Sequence, residues 1–293
     1  MKSRDRVVVI VFALCAGFGQ IERGFADVGR TAWSVPIRRT AAGLVVVPVS
    51  INGHGAYPFL LDTGSEATIV DPALADELGL MAAGGRNLLT STGVVGADVV
   101  RASIVFGAVE AGGVEVLEMP LDAVRAHAPD VRGVLGHDVL RRRNWLLDYG
   151  HATVVQDHDG ATGRTAGAGA YRLAIRWVDG RAAVRADLAG AKADLVLDSA
   201  AARLVLFDHP RRRSGIADVG EPISIQSLSG HEQVRAVTIE PLRLGSFAVP
   251  RVIAAVLPGV SPKPKEGGIL PTTLFGSLYF DYRSDEVIVT PAR

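Results

Sequence analysis

Two aspartates that end apolar runs are the residues of this chain best suited to chemistry. Asp62 follows the apolar run 59–61 and starts the sequence Asp-Thr-Gly-Ser, whereas Asp198 follows the run 195–197 and starts Asp-Ser-Ala-Ala. If a pseudo-twofold axis relates the two copies, their carboxyl groups can meet. Two carboxyl groups held together share one proton, so one of them can take a proton from water while the other donates a hydrogen bond.

Further repeats place the two aspartates in matching halves of the chain. Gly-Val-Leu-Gly at 133–136 and Gly-Ile-Leu-Pro at 268–271 follow Asp62 and Asp198 at nearly equal distances, and each half then ends with Asp-Tyr and a β-rich run. Internal repetition of this kind indicates a duplicated unit. The predicted domains are an N-terminal lobe at 27–156, a linker at 157–170 and a C-terminal lobe at 171–293.

Local signals predict that both lobes are mainly β. Short β-branched runs alternate with turn residues, and Asn52-Gly53 and Asp179-Gly180 are strong hairpin signals that we interpret as equivalent turns of the two lobes. The clearest helix starts at Pro72, with Asp71 as its cap and Gly79 at its exit. A second short helix is expected directly after the Gly-Val-Leu-Gly motif.

The composition excludes several classes of function. Hydrophobic residues make up 48% of the 293 residues and charged residues 21%, which is typical of a globular protein with real cores. Lys plus Arg and Asp plus Glu both number 31, so no net charge favours a nucleic-acid partner. Cys15 is the only cysteine, so removal of the N-terminal segment would exclude a cysteine nucleophile, a disulfide framework and a thiolate metal site.

The N-terminal segment has the features of a secretory signal peptide. Three basic residues among the first six precede the uncharged, largely apolar run 7–19, and Gly24 and Ala26 supply the small residues that a signal peptidase reads. We predict a signal peptide at 1–26 and an exported protein, periplasmic or secreted. An uncleaved segment that anchors the protein to the membrane is the alternative.

Other catalytic chemistry finds little support in the sequence. The seven histidines are scattered, and no pair has the spacing of a helical metal motif. The nucleophile motif Gly-x-Ser-x-Gly of serine hydrolases does not occur. The short basic runs 141–143 and 211–213 are interpreted as a solvated helix end and an exposed loop.

The motifs of this chain resemble those of the aspartic protease family. The resemblance covers residues 44–290 and lies in the apolar run into the motif at 62–65 and in the later motif at 134–136. The two-copy arrangement is similar to that of pepsin-type enzymes, while the short lobes are closer to retropepsin-like bacterial proteins. The resemblance implies a mainly β fold of two pseudo-symmetric acid-protease-type β-barrel lobes with a cleft between them. It also implies a peptide or protein substrate, a monomer of two fused lobes, and no cofactor or metal.

The resemblance further implies roles for individual residues. Asp62 and Asp198 would activate water without a covalent intermediate. The hydroxyl groups of Thr63 and Ser199 would bond across the lobe junction and hold both loops. The remaining predicted site residues are Gly64, Ser65 and Ala200, which shape the loops, and Thr92, Gly93 and Gly96, which belong to a flap over the substrate.

The role of one segment of the predicted site remains open. Residues 227–230 are either a second flap or a plain hairpin.

A difference between the two loops predicts which aspartate is more acidic. The hydroxyl group of Ser65 can donate to the carboxylate of Asp62, whereas Ala201 at the matching place cannot donate from its side chain. A hydrogen bond to the ionised form lowers a carboxyl pKa, so we predict that Asp62 is the more acidic partner.

Two departures from the family pattern fall in the second lobe. Ala200 stands where the family usually has glycine, and Pro271 stands where the first lobe has Gly136. If Ala200 required a positive φ, its methyl group would cost about 1 kcal/mol and could shift Asp198. Pro271 removes a backbone donor. The alternative function is therefore a catalytically degenerate protein of this fold that binds peptides or a partner protein in the cleft.

Overall fold

The structure, a computed structural model, describes most of both predicted lobes. It describes residues 6–7, 11–12, 32–90, 93–157, 169–208, 214–227, 230–257, 259 and 263–292. The chain is mainly β and forms two lobes, as predicted. Most of the predicted signal peptide and of the predicted linker lies outside the described residues.

Thirteen strands of the described residues precede the linker, and they include those of the first lobe. They are β1 (Arg6–Val7), β2 (Val11–Phe12), β3 (Ala32–Pro36), β4 (Arg38–Arg39), β5 (Val45–Ile51), β6 (His54–Leu61), β7 (Ile69–Val70), β8 (Ala82–Thr90), β9 (Gly93–Phe106), β10 (Val109–Glu118), β11 (Gly133–Leu135), β12 (Asn144–Asp148) and β13 (Thr153–Asp157).

The strands after the linker repeat much of this order. They are β14 (Tyr171–Ala174), β15 (Arg176–Val178), β16 (Arg181–Leu188), β17 (Ala191–Asp198), β18 (Leu204–Leu206), β19 (Ile216–Asp218), β20 (Ile223–Ser227), β21 (Gly230–Ile239), β22 (Leu242–Leu244), β23 (Phe247–Val249), β24 (Val252–Val256), β25 (Gly268–Pro271), β26 (Phe275–Asp281) and β27 (Glu286–Pro291).

The helices of the described residues are short. They are α1 (Pro72–Glu77), α2 (Asp122–Arg125), α3 (His137–Leu140) and a 3-10 helix at Thr272–Leu274. The predictions of α1 and α3 are confirmed, and the side chain of Asp71 accepts from the N–H of Leu74 at 3.0 Å as the expected cap. None of these helices has the length and apolar character needed to cross a membrane.

Each key aspartate ends a strand that is backed by the second motif of its own lobe. In the first lobe β11 runs parallel to β6, so Leu135 pairs with Leu61, and the N–H of Asp62 donates to Leu135 O at 3.0 Å. In the second lobe β25 runs parallel to β17, with Leu197 opposite Leu270. The two repeated motifs therefore meet as neighbouring strands, which fixes where each aspartate emerges.

The two lobes differ in how their sheets close. In the first lobe the strands β5, β6, β11, β7, β10 and β9 form a closed barrel, because β9 pairs back onto β5. The matching strands of the second lobe are β16, β17, β25, β18, β24 and β21, and within the described residues β21 does not pair with β16. The second lobe is therefore an open half-barrel.

A six-stranded sheet joins the two lobes. Its order is β14, β27, β26, β12, β13 and β3, so strands from both halves of the chain lie within one hydrogen-bonded layer. The antiparallel pairing of β12 with β26 is the seam, with Leu146 opposite Tyr279. One hydrophobic core includes buried residues of this sheet and of both lobes, such as Leu147, Leu188 and Val49.

One predicted equivalence was wrong. The turn Asn52–Gly53 joins β5 to β6, and the matching turn between β16 and β17 is Ala189–Gly190, with φ of 49° and 79° in the first lobe and 50° and 90° in the second. Asp179–Gly180 instead joins β15 to β16. An alanine in the left-handed region carries no turn signature in the sequence, so the stronger Asp-Gly signal was assigned to the wrong hairpin.

Candidate active site

The first loop holds the Asp62 carboxylate through backbone donors. Its Oδ1 atom accepts hydrogen bonds from the N–H of Gly64 at 2.8 Å and of Ser65 at 3.0 Å. Asp62 is fully buried, and its Oδ2 atom accepts no hydrogen bond from the described residues. The loop therefore fixes one oxygen and leaves the other for a different partner.

The second loop repeats this geometry in spite of Ala200. The Oδ1 atom of Asp198 accepts from the N–H of Ala200 at 2.7 Å and of Ala201 at 2.9 Å. Ala200 is not among the residues with positive φ, so its methyl group causes no left-handed strain. The expected displacement of Asp198 by this substitution does not occur, because both backbone bonds are kept.

The two aspartate loops exchange hydrogen bonds across the lobe junction through one hydroxyl group each. The N–H of Thr63 donates to Ser199 Oγ at 3.1 Å, and the N–H of Ser199 donates to Thr63 Oγ1 at 3.0 Å. Each hydroxyl then donates to a carbonyl of the opposite lobe: Thr63 to Leu197 O and Ser199 to Leu61 O, both at 2.7 Å. All four bonds are buried, so the two aspartate loops are held as one unit.

The two carboxyl groups meet at this junction. The charge of Asp198 acts on Asp62 and contributes to the raised pKa of Asp62. Gly64 lies against the opposite carboxyl group, because a Cβ atom on Gly64 would overlap Asp198 Oδ2. The absence of a side chain at Gly64 is what lets the second carboxyl group approach the first.

Burial raises the pKa of both carboxyl groups. For Asp198 burial raises the pKa to about 7, against the lowering effects of its two backbone hydrogen bonds and of the positive charge of Arg181. For Asp62 burial and then the charge of Asp198 raise the pKa well above its ordinary value. The two carboxyl groups therefore titrate as a pair, and the pair holds one proton near neutral pH.

The predicted reason for a more acidic Asp62 was wrong. The hydroxyl group of Ser65 donates to the carbonyl oxygen of Ala67 at 2.7 Å instead of to the Asp62 carboxylate. Ser65 supports Asp62 only through its backbone N–H. The side-chain difference between the two loops therefore does not favour ionisation of Asp62.

A buried histidine that had no predicted role supports the first loop. His137 starts α3, and its Nδ1 lies 3.3 Å from Thr63 O, so the proton of the ring is on Nδ1. Burial lowers the pKa of His137 to about 3, which keeps the ring neutral. The ring also packs edge-on against Trp177 and Tyr282 of the second lobe, with centroids 5.7 and 5.3 Å away.

A buried ion pair lies on the second-lobe side of the site. Arg181 Nη2 lies 2.9 Å from Glu266 Oε1, and both side chains are fully buried. Arg181 Nε and Nη1 have no hydrogen-bond partner among the described residues. Its positive charge lowers the pKa of both Asp198 and His137. The sequence could have revealed Arg181 if Ala189–Gly190 had been matched with Asn52–Gly53, because that alignment puts the charged Arg181 at a position that is apolar in the first lobe.

Pro271 leaves no hydrogen-bonding group unpaired at the position it shares with Gly136. In the first lobe the N–H of Gly136 donates to Thr68 Oγ1 at 3.2 Å, and a Cβ atom on Gly136 would overlap the backbone of Ala67. By strand register, the residue that matches Thr68 is Leu204, which cannot accept a hydrogen bond through its side chain. The second lobe has therefore lost the donor and the acceptor together.

Two of the three predicted flap residues lie on strands of a β-hairpin. Gly93 pairs with Thr90 and Gly96 pairs with Asn87 in the hairpin of β8 and β9, whereas Thr92 lies outside the described residues. In the second lobe Ser227 pairs with Gly230 in the hairpin of β20 and β21, which fits both a second flap and a plain hairpin. A role of either hairpin in holding substrate stays a prediction.

Within the part of the chain that the structure describes, no three His, Cys, Asp or Glu side chains are grouped as ligands for a metal ion.

The comparisons with known proteins agree with the geometry of this site. No curated protein sequence matched the chain. The model of a family described as aspartyl protease matches residues 47–139 and again residues 184–277, once in each lobe and together over more than half of the chain. The chain therefore belongs to the aspartyl protease family.

Proposed function

We propose that this protein is an aspartic endopeptidase that hydrolyses peptide bonds with a water molecule activated by Asp62 and Asp198. The observation that supports the proposal most directly is that the buried carboxyl group of Asp198 lies against Gly64 of the Asp62 loop, while each carboxyl group is held by two backbone N–H groups of its own loop. Rigid placement of an acid and a base is what general acid–base catalysis of hydrolysis requires.

In the proposed mechanism the two carboxyl groups have different tasks. Asp198, as the ionised partner, takes a proton from water while the water oxygen attacks the peptide carbonyl. Asp62, as the protonated partner, donates its proton to the carbonyl oxygen, which gives a neutral tetrahedral diol. Collapse of the diol returns a proton to Asp62, and the proton held by Asp198 passes to the leaving amine. Both carboxyl groups end in their starting states.

The proposed substrate is an extended peptide in the cleft between the lobes. An extended chain can add backbone hydrogen bonds to strand edges, and the hairpin of β8 and β9 is the proposed flap above it. Export through a signal peptide at 1–26 is part of the same proposal. Mass spectrometry of the exported protein should then find Asp27 as its first residue.

The proposal predicts a bell-shaped pH profile. Asp198 must be ionised, and since its pKa is raised to about 7, kcat/KM should fall as the pH drops below that value. Asp62 must be protonated, and burial raises its pKa well above its ordinary value, so kcat/KM should fall again where alkaline pH removes that proton. A profile measured with a peptide substrate from acid to alkaline pH tests both limbs.

The decisive test is cleavage of a denatured protein with and without a statine-type inhibitor. Asp62→Asn and Asp198→Asn should each abolish cleavage, whereas Asp130→Asn, in an exposed surface pair with Arg38, serves as the matched control and should retain it. Cleavage by Asp62→Asn at the wild-type rate would overturn the mechanism. A folded wild-type protein that binds peptide but cleaves none at any pH would favour the degenerate binding protein.

A further inference from the structure

A groove lined by four arginines lies at one end of the central strands of the sheet that joins the lobes. Arg141, Arg142 and Arg143 connect α3 to β12, and Arg283 lies in the turn between β26 and β27. Together they line a groove of about 240 Å³. The volume that one water molecule occupies in the liquid is about 30 Å³. The groove therefore has room for a compact ion with part of its hydration shell.

Asn144 holds the two arginine-bearing segments together. Its Nδ2 donates to Asp281 Oδ1 at 2.7 Å, and its Oδ1 accepts from the N–H of Tyr282 at 3.0 Å. Asp281 Oδ1 also accepts from the N–H of Arg283 at 3.2 Å. Asn144 is almost fully buried, so these bonds are shielded from water. The groove is built before any ligand arrives, because both of its walls are fixed by the same amide group.

One arginine of this groove has an acidic neighbour among the described residues, because the positive charge of Arg142 lowers the pKa of Asp138. Within that part of the chain no ion pair involves any of the four, and the one side-chain hydrogen bond is from Arg142 Nε to the backbone oxygen of Asp138 at 3.1 Å. The one carboxylate in the lining is Asp157, whose two oxygens accept from the hydroxyl group of Tyr279 at 3.0 and 3.1 Å. Asp281 and Asp138 also lie beside the groove, so four positive charges meet three carboxylates, and a bound anion would offset the remaining excess.

We propose that this groove binds a phosphate group that carries two negative charges. The planar fork of a guanidinium group matches two phosphate oxygens at once, and several such groups can share one phosphate. We expect a compact ligand, because the excess of positive charge is confined to this groove. The whole chain has a formal net charge of +0 and therefore has no general attraction for a long polyanion. The group is either free phosphate or the phosphomonoester headgroup of a lipid.

The first test is calorimetric titration of the full chain with inorganic phosphate in a phosphate-free buffer. We expect saturable binding of one phosphate and a melting temperature that rises with phosphate concentration. The double variant Arg143→Gln/Arg283→Gln, which changes both walls, should weaken binding at least tenfold. The charge-matched control is Arg172→Gln/Arg235→Gln, which removes two surface arginines paired with Glu286 and Asp218 and should bind as the wild type does.

A second test distinguishes the two sources of the phosphate group. Vesicles that contain phosphatidate should retain the wild-type protein but not the double variant if the ligand is a lipid headgroup, whereas binding of inorganic phosphate alone identifies the free ion. The proposal is overturned if neither phosphate nor vesicles bind, if the double variant binds as tightly as the wild type, or if chloride at equal ionic strength competes as well as phosphate does. None of these readouts depends on peptidase activity, so they are separate from the test of the proposed function.

Discussion

The two lobes place different chemistry at equivalent positions around the carboxyl pair. The register of β5 on β6 and of β16 on β17 makes Leu44 equivalent to Arg181, and the register of β11 and β25 makes Val131 equivalent to Glu266. The first lobe thus has two buried apolar side chains where the second has a buried ion pair. The backbone of the site follows the pseudo-twofold symmetry of the lobes, but the buried charges do not, because the positive charge of Arg181 acts on Asp198.

The loops themselves show the same contrast on a smaller scale. Gly64 and Ala200 both donate their N–H groups to the carboxylate two residues before them. Gly64 has no room for a methyl group because the opposite carboxyl group occupies that space, whereas the methyl group of Ala200 is buried in a cluster with first-lobe residues such as Leu60. A departure from the family pattern is therefore tolerated on one side of the pair and excluded on the other.

Removal of the buried positive charge should have the largest effect. Arg181→Leu restores the first-lobe residue type but leaves Glu266 buried without a partner, which should cost about 3–5 kcal/mol of unfolding free energy. The control is the double variant Arg181→Leu/Glu266→Val, which copies both first-lobe residues and should recover most of that loss. Urea unfolding at neutral pH measures both. Equal destabilisation by the single and double variants would mean that the charge pair is not what matters here.

Crowding of the carboxyl pair should come next. Gly64→Ala adds a methyl group where Asp198 Oδ2 lies, so the carboxyl group must move. A displacement of about 1 Å in an active site costs on the order of 100-fold in rate, so kcat/KM on a peptide substrate should fall at least that far. Wild-type activity in this variant, with an unchanged unfolding free energy, would show that Gly64 does not limit the approach of the two groups.

A third prediction concerns acid stability. The pKa of His137 is lowered from 6.5 to about 3 by burial, so below pH 6.5 the unfolded chain binds a proton that the folded protein excludes, and stability falls with pH. His137→Asn keeps a donor for Thr63 O and removes the titration. The loss of unfolding free energy between about pH 6.5 and about pH 5 should shrink by about 2 kcal/mol.

The matched control for this prediction is His151→Asn, because His151 is exposed and paired with Asp148. It should leave the pH dependence of unfolding as in the wild type. If His137→Asn also leaves it unchanged, the folded protein accommodates the charged ring, and the lowered pKa of His137 is contradicted.

The smallest effect is expected at the alanine of the second loop. Ala200→Gly removes a buried methyl group and adds backbone freedom to the unfolded chain, which together should cost about 1–2 kcal/mol of unfolding free energy. Its loss of kcat/KM should be much smaller than that of Gly64→Ala, because no atom is added beside a carboxyl group. Thermal unfolding and peptide cleavage measure the two quantities. An equal loss of activity in both variants would remove the distinction between the loops.

The parts of the site that follow from local patterns were predictable from the sequence. A strand that ends in Asp, a hydroxyl residue and a small residue specifies its own loop, so the meeting of Asp62 and Asp198 follows from their neighbours in the chain and from the repeat. The cap of α1 at Asp71 was predictable for the same reason, since the capping oxygen and the N–H of Leu74 lie three residues apart.

The features that the sequence analysis missed depend on contacts in the folded protein that the order of residues in the chain does not show. An extra residue between His54 and Tyr57 of β6 changes the offset between the two lobes by one residue. The equivalence of Leu44 and Arg181 was missed because Asp179–Gly180 was assigned to the wrong hairpin. The support from His137 depends on contacts with rings of the other lobe. The hydroxyl group of Ser65 had two possible acceptors within reach, and sequence alone gave no reason to prefer Ala67 O.

The shared sheet also helps to hold the aspartate pair together. Its last strand in the chain, β27, pairs with both β14 and β26, and β26 in turn pairs with β12 of the first half. The position of the second loop is thus tied to the last strand of the chain as well as to the hydroxyl groups of Thr63 and Ser199. A chain shortened before β27 should therefore lose part of the support that holds Asp198 near Asp62.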